Sequence, residues 1–154
     1  MPSDEAAPRP VCRPRDEALS GFDATLALVP RHHDARLGRV TALSHLARHE
    51  EAIAGATSLI DEGTWLVGDA YYWRAWNEFQ QERLDASEND IELARKYIAS
   101  SSVYVLSGAI QGRKQRPREA ESEFLRAVAI DQADCEASTL LRRVRAELRS
   151  ESIR

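Results

Sequence analysis

Cysteine is almost missing from this chain: Cys12 and Cys135 are the only two among 154 residues. They lie far apart and lack metal-ligand spacing, which argues against a disulfide framework and a cysteine-built metal site. Glycine and proline are also scarce, at seven and six. Pro2, Pro8, Pro10 and Pro14 crowd the start of the chain, so the rest is nearly free of helix breakers and favours helix. Lysine occurs only at Lys96 and Lys114 while arginine is abundant, a bias compatible with a GC-rich bacterial genome. No apolar run approaches membrane length. The opening Met1-Pro2-Ser3-Asp4-Glu5 is acidic where a signal peptide needs a basic patch and then an apolar stretch, so the expected compartment is a reducing cytoplasm. A net charge of −4 and a pI near 5.6 give no electrostatic support to a general role on nucleic acid or anionic membrane.

With 43% apolar and 30% charged residues, the composition is that of a folded chain of one domain's length. An echo runs through it. Asp16-Glu17-Ala18, Glu50-Glu51-Ala52 and Arg118-Glu119-Ala120 each end in an acidic residue and alanine. Ala18 and Ala52 are 34 residues apart and Ala120 lies twice that distance beyond Ala52, with Leu84-Asp85-Ala86-Ser87 as a copy between. A fixed period of this length is the signature of stacked helical hairpins.

The hydrophobic pattern fills in the helices. Residues 1–15 read as a proline-rich disordered lead-in. A first amphipathic helix runs from Asp16 to about Val29 with Leu19, Phe22 and Leu26 at helical spacing, and Pro30 stops it. Helices follow at about 33–47, at about 50–62 with Gly63 as the stop, at 69–81 and at 84–98. The helix at 69–81 carries Tyr71, Tyr72, Trp73, Trp76 and Phe79. Ser100-Ser101-Ser102 breaks the chain and offers an N-cap hydroxyl. Residues 103–114 and 118–130 form another pair around Pro117, which suits the first turn of a helix. The last helix, about Asp134–Arg149, sets Leu140, Leu141, Val144 and Leu148 against a row of arginines. No segment alternates with period two strongly enough to predict a strand.

These pairs resemble the tetratricopeptide repeat family. The unit at 101–134 carries the fullest match: Tyr104 and Gly108 in its first helix, Ala120, Phe124 and Ala127 in its second, and Ile130-Asp131 at its close. Small residues let the two helices approach, and Phe124 fills the wedge beside them. In the unit at 33–67, Val40 stands where a small residue is usual and Ala56 where a large one is usual, a swap that can keep core volume. The unit at 68–100 fits in the register that puts Ala75, Leu84, Ser87, Ile91 and Ala94 in the core, chosen because it buries neither Arg74 nor Asp90. Residues 16–32 read as half a repeat, 135–149 as a polar capping helix and 150–154 as a tail. The resemblance thus covers 16–149 and implies an all-α fold, a right-handed superhelix (α-solenoid) of antiparallel helix pairs.

In that family the first helices of successive repeats line a concave groove that holds a segment of another protein. Carried over, the groove would take Asp34, Leu37, Thr41, Ser44 and His45 from one helix, and Asp69, Tyr72, Trp76 and Phe79 from the next. Ser102, Val105, Ala109 and Arg113 would follow, then Thr139 and Arg143. Tyr72, Trp76 and Phe79 share one face at spacings of four and three, a cluster of the kind that anchors interfaces. Arg113 and Arg143 beside them would suit an acidic side chain or a C-terminal carboxylate. The aromatic stripe also fits a core role, above all for Tyr71, and Trp65 reads as a plug in the seam between repeats. The basic and asparagine-rich clamp of the chaperone-binding members has Leu37, Thr41 and Leu106 in its places, so that activity is not implied.

The residues point away from catalysis. His45 and His49 are four apart, but a helix break is expected near Arg48 and no third ligand is close, so no metal site or cofactor is expected. The acidic pairs fall in first turns of helices, where the helix dipole favours a carboxylate. No phosphate loop, nucleophile elbow or Cys/His pairing appears. The rival to an adaptor is self-association. Leu19, Phe22 and Leu26 belong to a helix without its hairpin mate and are expected to lie exposed, an end face that a second copy would cover in a two-fold dimer, unless the lead-in folds over it or the stack continues in a longer array.

Overall fold

The computed structural model describes residues 14–151. Residues 1–13 and 152–154 lie outside the described residues, and with them Cys12, nearly all of the expected lead-in and the end of the tail. Eight helices follow in order: α1 (Pro14–Leu28), α2 (His33–His45), α3 (His49–Asp61), α4 (Val67–Gln80), α5 (Leu84–Ala94), α6 (Ser101–Arg113), α7 (Pro117–Ile130) and α8 (Cys135–Glu151). No strand occurs among the described residues.

Each helix packs on the next, and α2 also touches α4, α4 touches α6 and α6 touches α8. The odd-numbered helices make no such contacts with one another. The stack therefore closes up on its even-numbered side, and the odd-numbered helices form the outer layer. Three tight turns join α2 to α3, α4 to α5 and α6 to α7. Each passes through a non-glycine residue in the left-handed region: Ala47 (φ 58°), Glu82 (φ 58°) and Gln115 (φ 60°). In each the following arginine N–H reaches back to a carbonyl five residues earlier, Arg48 to Leu43, Arg83 to Glu78 and Arg116 to Gln111, all at 2.9 Å. The other kind of turn, from one hairpin to the next, bears nearly all the exposed large hydrophobic side chains: Leu28, Val29, Trp65, Tyr97 and Ile130. Trp65 is 73% exposed and plugs no seam. Its neighbour Leu66 is buried there instead.

Small residues set how closely the helices cross. A methyl added at Gly108 would lie 2.5 Å from Phe124 Cε1, so the ring rests on the bare glycine backbone. At Gly55 the same test meets Val40 Cγ2 at 2.9 Å, while Val40 and Ala56 are both buried. The large residue has moved to the facing helix with volume kept, as expected from the sequence. At the N-terminal end Phe22 covers Gly38, and Leu19 is only 8% exposed within the first core cluster. The expected bare face of Leu19, Phe22 and Leu26 is thus not there: α1 packs on α2, and Leu26 is half-buried. One flank of α2 is enough to cover an amphipathic helix that lacks a hairpin mate.

Polar seams tie the repeats together, and here the sequence reading needs a second correction. Ala75, Ser87, Ile91 and Ala94 are buried as that register requires and Leu84 only half-buried, but Asp90 is buried as well, at 2% exposure. Arg74 grips it with two hydrogen bonds, Nε at 2.5 Å and Nη2 at 2.8 Å, and adds a third to Thr57 of α3. A buried charge is tolerated when its partner is buried with it and the geometry is bidentate. Asn77 is fully buried: its amide donates to Ser44 Oγ and to the Trp73 carbonyl, each at 2.7 Å, and its oxygen pairs with His49 Nδ1 at 2.9 Å. Ser44 is therefore a seam residue and does not face the groove. Arg95 of the α5–α6 turn repeats the device, bonding Ser107 and Glu123 while lying over the Tyr104 ring. Two local expectations also fail. The helix read at 84–98 ends at Ala94 and gives way to turn. Ser100 caps α6 by position, with no side-chain hydrogen bond.

Candidate functional site on the inner helices

The site begins with one helix face. Tyr72, Trp76 and Phe79 project from α4 at spacings of four and three, so all three point the same way. They line a cavity of about 280 Å³, together with Ser102, Val105 and Ala109 of α6, Glu136 and Leu140 of α8, and Asp134 just before α8. A second cavity of about 430 Å³ adjoins it, sharing Phe79, Ala109 and Leu140 and adding Arg113, Arg143 and Glu147. The three aromatics are half-buried, packed at their base against the core of Ala75, Ile91 and Leu106. Both sequence readings of the stripe hold in part: the rings root in the core and present their remaining surface to the cavity. Tyr71, expected in the core, is also half-buried. It stacks at 6.4 Å on the exposed Tyr97 and carries the Arg74 guanidinium over its ring.

An aromatic ladder fixes Tyr72 and Trp76. Tyr72 meets Trp73 edge-on at 5.4 Å, and Trp73 meets Trp76 at 6.0 Å. His45 at the end of α2 lies 5.5 Å from Trp73 and 6.3 Å from Trp76, and His49 lies 5.9 Å from Trp76. Edge-to-face contacts of this kind stabilise by about 0.5–1.5 kcal/mol each beyond burial. The two histidines thus buttress the rings from α2 and α3. Burial pushes the Tyr72 hydroxyl above its usual range and the Glu136 charge adds to this, while a hydrogen bond to Ser102 pulls the other way.

Asp34, Asp69 and Thr139, also expected in the groove, line neither cavity, and the other expected residues fall into three groups. Tyr72, Trp76, Phe79 and Val105 come together in the first cavity, and Arg113 and Arg143 in the second. Leu37 packs against the N-terminal core cluster, and Thr41 lies half-buried one turn on. His45 joins the aromatic ladder without lining either cavity. Arg113 is not a bare cation: it pairs with Glu82 and sits 5.2 Å from the centre of the Phe79 ring. Asp134, Glu136 and Leu140 were missed as wall residues. Their signal was present, since Glu136, Leu140 and Arg143 share one face of α8 at spacings of four and three. It was hidden because Asp134 and Glu136 are fully accounted for as a helix cap and a first-turn acid.

The layered hairpins, the left-handed turns and the Gly108–Phe124 contact decide the architecture. The chain has the tetratricopeptide repeat fold. The first such domain of Spaghetti (RPAP3), solved bound to the HSP90 peptide SRMEEVD, superposes with a TM-score of 0.67 at 22% identity over 75% of this chain and 92% of that one. The first tetratricopeptide domain of human RPAP3 gives 0.72 at 21% identity, covering 80% and 97%. MamA from Desulfovibrio magneticus gives 0.66 at 17% identity, covering 79% and 68%. At such identities the likeness is one of fold. No protein-family model matches the sequence, and no curated protein matches it.

The described residues hold no group of three or more His, Cys, Asp or Glu placed to ligate a metal ion. No described helix is long and apolar enough to cross a membrane. His49, one of the two histidines four apart, is engaged with Asn77.

Proposed function

We propose that the chain is a non-catalytic adaptor that seats a peptide segment or helix of another protein on its inner face, anchored by Tyr72, Trp76 and Phe79. The observation that carries this reading is the cavity in which one face of α4 presents three aromatic rings between α6 and α8. Rings rooted in a core and open on one side offer large contact area at low cost in side-chain entropy, which is why such residues anchor interfaces. The RPAP3 domain with its bound peptide supports a peptide-holding role for a domain of this shape. Val105, Arg113 and Arg143 would continue the contact toward α8, and Leu37, Thr41 and His45 toward α2. The cytoplasm is the compartment that fits the sequence.

The test is affinity capture from lysate of the source organism with wild type beside a Tyr72→Ala/Trp76→Ala/Phe79→Ala variant, its fold checked by circular dichroism. A protein held by wild type and lost by the folded variant supports the reading. Equal capture by both would remove the anchor role from these rings. Self-association through α1 has lost the bare face that motivated it, since Leu19 and Phe22 are packed.

A further inference from the structure

Resting on that reading, we propose that the cavity between α4, α6 and α8 takes a cationic side chain of the partner, an arginine or lysine, with its stem on Tyr72, Trp76 and Phe79 and its charged head at Glu136 and Asp134. The charge of the wall argues this first. The residues that line the cavity include two carboxylates and no cation. The adjoining cavity holds two cations, of which Arg113 is neutralised by Glu82 and Arg143 shares the wall with Glu147.

The carboxylates are also available. Glu136 is exposed and makes no ion pair among the described residues. Asp134 accepts the Ala137 N–H at 2.9 Å through Oδ1 and engages no side chain among the described residues. The electrostatics agree, because the Glu136 charge is felt at the Tyr72 hydroxyl inside the cavity.

The rings supply the second half of the site, an apolar bed for the stem. A guanidinium or ammonium that passes over an aromatic face is attracted by the ring quadrupole as well. This chain already uses the contact three times within itself, with Arg74 over Tyr71 at 5.5 Å, Arg95 over Tyr104 at 4.9 Å and Arg113 over Phe79 at 5.2 Å. A volume of about 280 Å³ leaves room for one long side chain. A partner with an acidic side chain in this place would face two like charges.

The experiment uses the full chain and a displayed library of random 12-residue peptides. Selected peptides are then measured by fluorescence anisotropy against wild type, the Tyr72→Ala/Trp76→Ala/Phe79→Ala variant and an Asp134→Asn/Glu136→Gln variant. Asparagine keeps the cap of α8, so the last variant stays folded. Expected are peptides that carry arginine or lysine beside an apolar residue, need the three rings, and lose roughly tenfold in affinity when that cation becomes glutamine or the two acids are neutralised. Separate arginine and lysine versions of each peptide decide which head group fits. Peptides that need the rings but bind equally without their cation would overturn this inference and leave the adaptor reading standing. Peptides indifferent to the rings, or no selected peptide at all, would overturn both.

Discussion

The hairpins α4/α5 and α6/α7 share one fold and one turn geometry yet are held together differently. In α6/α7 the crossing is apolar: Gly108 lies under Phe124, with Ala120 and Ala127 buried beside it. In α4/α5 the crossing is lined by Ala75, Ser87 and Ala94, with the Ser87 hydroxyl donating to the Ala75 carbonyl at 2.7 Å. Its flank is the Arg74–Asp90 pair, both partners drawn from the hairpin itself, whereas the matching seam of α6/α7 is closed from outside by Arg95 of the preceding turn, bonded to Ser107 and Glu123. Tyr72, Trp76 and Phe79 of α4 line the cavity to which α6 presents the smaller Val105 and Ala109. A repeat can therefore present aromatics on its inner face if small residues and a complete polar pair hold the hairpin shut behind them.

The sharpest way to break the comparison is at the apolar crossing. Phe124→Ala should cost about 3–5 kcal/mol in urea unfolding, because the ring fills a space that cannot collapse onto Gly108. A loss under about 1 kcal/mol would show that the crossing is not wedged. At the polar hairpin, Asp90→Ala should cost about 2–4 kcal/mol by leaving Arg74 without its partner, somewhat less than for a fully buried pair because the Arg74 side chain is 20% exposed. Replacing both residues by Arg74→Met/Asp90→Leu should recover most of that loss. If the double variant were no better than the single, the pair would not be acting as a unit.

Glu78 of α4 gives a pH-dependent contrast with no counterpart in α6/α7. Burial, with the Asp90 charge beside it, pushes its carboxyl up to about 7, against the pull of Arg74 and Arg83. Its Oε2 is buried without a hydrogen-bond partner. A carboxyl whose folded pKa lies above its unfolded value of about 4.5 favours folding when protonated. That contribution is complete below about pH 4.5 and is lost as the pH rises through about 7. Glu78→Gln should therefore stabilise at pH 8 relative to wild type by about 1–2 kcal/mol after allowance for solvent screening, and by much less at pH 5. Equal effects at both pH values would contradict the assignment. The smallest expected effect is at the shared turn: Gln115→Gly should stabilise by up to about 1 kcal/mol, since glycine adopts a φ of 60° without strain. A destabilised variant would mean the Gln115 side chain contributes more than its backbone strain costs.

Much of the fold was legible because helical repeats write themselves in alanines and period. Ala52, Ala120 and Gly108 mark where helices cross, and Pro30, Gly63 and Pro117 mark where they stop or start. The left-handed turns at Ala47, Glu82 and Gln115 were not legible, because no glycine announces them and only the hairpin geometry imposes them. Asp90 escaped for a different reason. A rule against buried charge applies to single residues, and sequence does not display the partner that lifts it. The inner-face aromatics were read from one helix alone, whereas the cavity wall contributed by Glu136 and Leu140 depends on where α8 docks, a tertiary fact.

That the α4 aromatics serve a surface while only their bases serve the core is a proposal with a direct test. It is tested most directly by calorimetric titration of a library-selected peptide into wild type and Trp76→Ala, with urea unfolding of both proteins. The account predicts a loss of about tenfold or more in affinity and no more than about 2 kcal/mol in stability. Unchanged affinity with a loss of 3–5 kcal/mol, the size expected of a large aromatic deleted from a core, would place Trp76 in the interior and contradict it.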